Sequence, residues 1–131
     1  MKKILFITFI LVLFSGFALA QRSVTLIWTN SISEAVTGYN LYRSETAGSG
    51  YAIVNTKLIP SDPLGHSEWT DETVKNNRRY FYVCRAVAEW VDPYTGDSGT
   101  VESINSNEAT TYIMPPAPNP PTGLIKKFST P

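Results

Sequence analysis

The chain has 131 residues, with 11 basic and 11 acidic side chains, one histidine and one cysteine. A formal charge of zero with no basic stripe argues against nucleic acid and against an anionic membrane surface as partners. The single cysteine, Cys84, excludes an internal disulfide, and the sole histidine, His66, has no second His or Cys with which to build a zinc site.

Lys2 and Lys3 open the chain, and Ile4 to Leu19 is almost wholly apolar, broken by Thr8, Ser15 and Gly16. Ala18-Leu19-Ala20 then supplies the small-x-small pattern that signal peptidase accepts. Residues 1–20 therefore read as a secretory signal peptide, cut before Gln21. The apolar run is short for a membrane span of about 20 residues. The residue just after the cut is Gln21 and not a cysteine, which argues against a lipid anchor. The expected product is secreted, periplasmic or extracellular, and carries no membrane attachment after cleavage. It keeps about 110 residues, one domain's worth, and is slightly acidic because two lysines leave with the signal.

The rest of the chain alternates with period two rather than 3.6, in short runs rich in aromatic and β-branched residues, which predicts an all-β sandwich or barrel. Val24–Thr29 is the first run, with Val24, Leu26 and Trp28 on one face. Val36–Arg43 is the second, with Tyr39 and Leu41 sharing a face. "SETAGSG" is a loop by composition, Tyr51–Asn55 a short third run, and "PSDPLGHS" another loop that contains His66. Trp69 begins a brief strand closed by Asp71-Glu72. After a turn at Asn76-Asn77, Tyr80–Trp90 is the strongest strand in the sequence. Tyr80, Tyr82, Cys84 and Ala86 fall on one face of it, expected to be the core face, so that Cys84 serves as a small buried apolar residue. Phe81, Val83, Arg85 and Val87 fall on the other, and the arginine marks that face as partly solvated. "DPYTGDSG" reads as a long loop and Ser106–Ile113 as the last strand. Five prolines between Met114 and Pro121 predict an extended, semi-rigid segment that cannot pair inside a sheet.

The ordered set "VTLIWT", "VTGYNLYRSE", "SEWTDETV", "RRYFYVCRAVAE" and "SNEATTYI" resembles a bacterial fibronectin type III domain. The resemblance covers roughly Val24 to Ile113. It implies an immunoglobulin-like sandwich of seven strands without a conserved disulfide, over residues 21–113. Trp28 matches the core tryptophan of the second family strand, Tyr39 and Leu41 the apolar pair of the next, and Tyr80 the tyrosine of the E–F corner, followed by Tyr82 and Cys84. The departure is at the start: between Gln21 and Val24 there is no room for the family's first strand.

Residues 114–131 form a proline-rich tail whose "PPTGLIKKF", with Leu124 and Ile125, is similar to that first strand. Three readings stay open. The tail is a linker, or it folds back as its own domain's first strand, or it is donated to a second copy and produces head-to-tail assembly.

No catalytic constellation and no cofactor motif is present in the sequence, so the chain reads as non-catalytic. Asp71-Glu72 is a weak carboxylate pair because neighbours on a strand point to opposite faces. Asp92 and Asp97 lack the ligand alternation of a calcium loop. Recognition is left as the function class. The connection from Glu89 to Asn105 carries Trp90 and Tyr94, residues suited to anchoring a partner, with Asp97 nearby. The resemblance implies that this is the family's recurrent recognition loop. Thr95-Gly96-Asp97 lacks the arginine of the adhesive members. The expected partner is a protein or a surface glycan, in an interaction, adhesion or spacer role. A structural subunit joined through its tail is the second reading, and a carbohydrate-associated accessory module of a secreted system the third.

Overall fold

The computed structural model of the chain describes residues 22–127. The signal peptide expected over residues 1–20 lies outside them, as do Gln21 and residues 128–131 of the tail. Seven strands and no helix occur among the described residues: β1 (Val24–Thr29), β2 (Val36–Ser44), β3 (Ala52–Ile53), β4 (His66–Asp71), β5 (Arg78–Val91), β6 (Ser98–Glu102) and β7 (Ala109–Ile113).

The strands divide into two antiparallel sheets. β1 and β4 form the smaller, with Val24 opposite Asp71 and Thr29 opposite His66. The larger runs β3-β2-β5, after which β5 pairs with β7 along its first part and with β6 along its last. Period-two alternation then builds the core. Tyr39 and Leu41 of β2, Tyr80, Tyr82 and Cys84 of β5, and Ile113 of β7 are buried together, and Leu26, Trp28 and Trp69 of the small sheet pack against them. Trp28 meets Tyr39 edge to face, with ring centroids 5.4 Å apart, the arrangement that ring quadrupoles favour. The buried tyrosines also satisfy backbone donors. The Lys75 N–H donates to the Tyr80 hydroxyl at 3.0 Å, and the Ser31 N–H to the Tyr39 hydroxyl at 2.7 Å.

One carboxylate crosses between the sheets. Asp71, the last residue of β4, is fully buried. It accepts from Arg43 Nη1 of β2 at 2.7 Å, from the Tyr82 hydroxyl of β5 at 2.9 Å, and from the Thr73 backbone N–H and hydroxyl. Arg43 in turn lies over the Tyr80 ring, 4.7 Å from its centroid. Burial alone would raise the Asp71 pKa. The donors from Thr73, Tyr82 and Arg43 outweigh it and hold the value below the usual carboxylate range.

The structure corrects several sequence expectations. "DPYTGDSG" is not a long loop, because its last two residues already belong to β6, and the last strand is confined to Ala109–Ile113. β6 lies ahead of the expected last strand, in the connection from Glu89 to Asn105, and brings the count to seven. His66 is not a loop residue but the first residue of β4, paired with Thr29. The third run shrinks to Ala52–Ile53, because the Asn55 side chain takes over and accepts from the Leu41 N–H at 2.7 Å. The second face of β5 is partly solvated, as its arginine suggested: Phe81 and Arg85 are half-buried, while Val83 and Val87 are buried. Outside them, Glu102 accepts from Asn40, Tyr42 and Arg85, and Arg85 stacks 4.1 Å over the Tyr42 ring. The arginine that suggested solvent exposure is part of this polar cover.

Gly38 sits at a register shift in β2. A Cβ there would come within 2.6 Å of the Ile59 carbonyl oxygen and of Leu58 Cγ. Gly38→Ala is therefore expected to destabilise by about 1–3 kcal/mol, because backbone must move, seen as a lower urea midpoint with unchanged slope. For Asp71 the folded pKa is depressed, so its contribution is complete above the ordinary value of 3.8 and is lost as pH falls through the depressed value. The thermal midpoint of the unmodified protein should fall as pH drops from that ordinary value to the depressed one. Asp71→Asn should flatten this fall and cost about 3 kcal/mol at neutral pH, because it leaves Arg43 without its counter-charge.

Candidate functional site

Two surface features stand out. The first is the tip of the β5–β6 hairpin. β2 stops pairing with β5 at Ala88, so Glu89–Val91 pair with Ser98–Thr100 beyond the reach of β2. The turn between them is built by Asp92. Its carboxylate accepts from the Tyr94 N–H at 2.8 Å and the Thr95 N–H at 3.3 Å, while its backbone accepts from the Gly96 N–H at 2.9 Å. Those backbone donors lower the Asp92 pKa. Gly96 supplies the left-handed backbone, at φ 76°, that closes the turn.

On this frame Tyr94 is 96% exposed and Trp90 is 47% exposed. The difference has a structural cause. Trp90 pairs across the hairpin with Gly99, and its ring lies over that glycine, about 3.0 Å from where a Cβ would stand. One face of the indole rests on the strand and the other meets water. Asp97 is exposed at the base of the same turn, its backbone oxygen accepting from the Asp92 N–H at 2.7 Å. The sequence thus located Trp90, Tyr94 and Asp97 on one projection but read as loop what is a paired ribbon.

The second feature is a seam between the sheets. Among the described residues β1 pairs only with β4, and its other edge has no strand beside it. Across from that edge, Ser103–Glu108 interrupts the final strand. There, side chains supply half of the ladder: Ser103 Oγ accepts from the Ala86 N–H at 3.0 Å and Ser106 Oγ from the Cys84 N–H at 2.8 Å, while the Ser103 and Ser106 N–H groups donate to the Ala86 and Cys84 carbonyls at 2.9 Å. The result is an open groove of about 440 Å³, whose walls include Ile27, Trp28, Cys84, Ala86, Ile104 and Ser106. Trp28 is consequently only partly buried, unlike Tyr39 and Leu41, and its indole N–H is buried without an acceptor. Sequence reasoning assigned Trp28 to the core and did not find the groove, which depends on a gap between segments distant in the chain. The tail residues Leu124 and Ile125 are 97% and 83% exposed and lie on neither feature.

No three His, Cys, Asp or Glu side chains among the described residues come together as a metal site. The carboxylates with shifted pKa values, Asp71, Asp92, Glu102 and Glu108, all shift downward. Each is held ionised by local hydrogen bonds, the opposite of what a general acid needs. Burial pushes the Cys84 thiol up to about 12, which disfavours a thiolate nucleophile.

Gly99→Ala tests the seating of Trp90. The added methyl should displace the indole ring, moving its N–H resonance, while stability changes by less than about 1 kcal/mol, because the ring has solvent to move into.

No protein-family model matches the sequence, and no curated protein matches it. Among solved structures the chain is similar to an Fn3-like protein from Clostridium thermocellum, with 26% sequence identity and a TM-score of 0.45, over 72% of this chain and 81% of that one. Two antiparallel sheets, a core tryptophan on β1, and a corner tyrosine at Tyr80 bonded back to the Lys75 backbone give this chain a fibronectin type III-like sandwich fold.

Proposed function

We propose that the chain is a secreted, non-catalytic recognition module that engages a protein or glycan partner outside the cell through the tip of its β5–β6 hairpin. The observation that carries this reading is the placement of Trp90 and Tyr94. Both rings project beyond the sandwich on a paired, turn-locked ribbon. Aromatic rings on a rigid support lose little conformational freedom on binding and bury large areas, which is why they dominate recognition surfaces. The half-covered indole suits stacking on a sugar ring or packing into an apolar protein pocket. Asp97 adds a carboxylate at the rim of the same surface.

The low carboxylate pKa values and the high Cys84 pKa favour a binding role over a catalytic one. The expected secretion rests on the pattern of residues 1–20. Mass spectrometry of the exported protein, with Gln21 as the expected first residue, tests that part.

The binding reading is tested by the double variant Trp90→Ala, Tyr94→Ala. Both side chains are largely outside the core, so the thermal midpoint should stay close to that of the unmodified protein. Affinity electrophoresis against soluble polysaccharides and surface capture from a secreted-protein fraction should each be compared for the two proteins. A loss of at least about tenfold in affinity for any target the unmodified protein retains is the expected result. Equal retention by the two proteins would remove the hairpin as the binding surface.

A further inference from the structure

We infer that the groove beside β1 receives the segment Gly123–Lys127 from a second copy of this chain, so that copies join head to tail. Three observations meet here. The free edge of β1 presents backbone donors and acceptors along Val24–Thr29 with no strand beside them among the described residues. An edge of this kind is completed by an added extended chain. The groove mixes apolar lining from Trp28, Cys84 and Ile104 with serine and asparagine side chains that suit an extended backbone. The same molecule holds the complementary piece in reserve: Met114–Lys127 is exposed throughout, and it ends in Leu124 and Ile125, two apolar residues standing in water.

Direction decides which copy supplies the strand. β7 ends at Ile113, and Ile113 and Met114 share a surface hollow with Arg22 and Ser23, just before β1 begins. The tail therefore leaves at the pole where β1 starts. An antiparallel partner for β1, the geometry of every strand pair in this structure, must enter from the opposite pole. Met114–Pro121 in polyproline form reaches about 25 Å, and β1 is about 20 Å long. The domain's own tail would spend its stiff segment reaching the far pole and then have to reverse. The tail of a second copy stacked pole to pole enters directly, with the proline-rich segment bridging the two domains. The contact is heterologous and does not close, so it extends into chains. A carbonyl carried in by the strand also offers an acceptor to the Trp28 indole N–H, which has none.

The test uses the chain from Gln21 onward. Three forms are compared by light scattering from micromolar to millimolar concentration: unmodified, Leu124→Asp, and lacking Pro121–Pro131. Leu124 is exposed in the single domain, and thermal melts of both variants check that the fold is kept. The unmodified chain should show at least about a twofold rise in mass, and the other two should stay monomeric. A synthetic peptide of residues 118–131 added to the truncated form should move the Trp28 indole resonance. Identical masses for all three forms, with no effect of the peptide, overturn the proposal. So does a monomer whose Trp28 indole resonance moves when the tail is removed, since that shows the tail seated on its own domain. The Trp90→Ala, Tyr94→Ala variant should assemble as the unmodified chain does, which separates this result from failure of the hairpin reading.

Discussion

The Asp71 carboxylate holds the two sheets in register. It terminates β4 of the small sheet and accepts hydrogen bonds from β2 and β5 of the large one. A charge removed wholly from water is costly unless every lone pair is engaged. Here donors from Arg43, Tyr82 and Thr73 converge on it, and the guanidinium is itself supported by the Tyr80 ring. The apolar core beside it is non-directional. Leu26, Leu41 and Ile113 would tolerate a small slide of one sheet over the other, but the geometry of these hydrogen bonds would not. The polar cluster therefore fixes where β1 lies, and with it the width of the groove on the far side of β1.

Much of this architecture was legible in the sequence, and the parts that were not share a cause. Val24–Thr29 was read to the residue, because β-branched and aromatic side chains alternate there without interruption. Tyr39, Leu41, Tyr80, Tyr82 and Cys84 were placed in the core by the same alternation. Ser98–Glu102 was missed because Val101 is its one large apolar residue. That strand is held by the edge of β5, not by its own pattern. His66 was read as loop for a similar reason, since β1 recruits it into the ladder. On β5, Arg85 suggested an open face, and only the side chains of Asn40, Tyr42 and Glu102, contributed by other strands, explain why Val83 and Val87 are dry. Wherever an element exists because a neighbour imposes it, its own residues carry little trace.

The candidate surfaces divide along the same line. Trp90, Tyr94 and Asp97 could be grouped from sequence, because they lie close together in one short segment. Their support could not: the seating of the indole on Gly99 is a cross-strand relation that appears only once β6 is known to be a strand. The groove was wholly hidden, since its walls come from β1, β5 and the Ser103–Asn107 segment. What the sequence did offer was an apparent shortage of chain before β1 and a strand-like piece after β7. The structure places those two facts at the same pole, where the segment before β1 and the end of β7 share a hollow.

The interruption at Ser103–Glu108 has a consequence for crowding. The hydroxyls of Ser103 and Ser106 take the Ala86 and Cys84 amides while the N–H groups of the same serines donate to the Ala86 and Cys84 carbonyls, so two rungs at the outer border of the large sheet are closed half by side chains. A foreign strand laid along that border would find the donors already occupied and the line of the backbone broken. Two serines thus act as a guard against indiscriminate lateral stacking, at a place where the chain's own ladder is irregular.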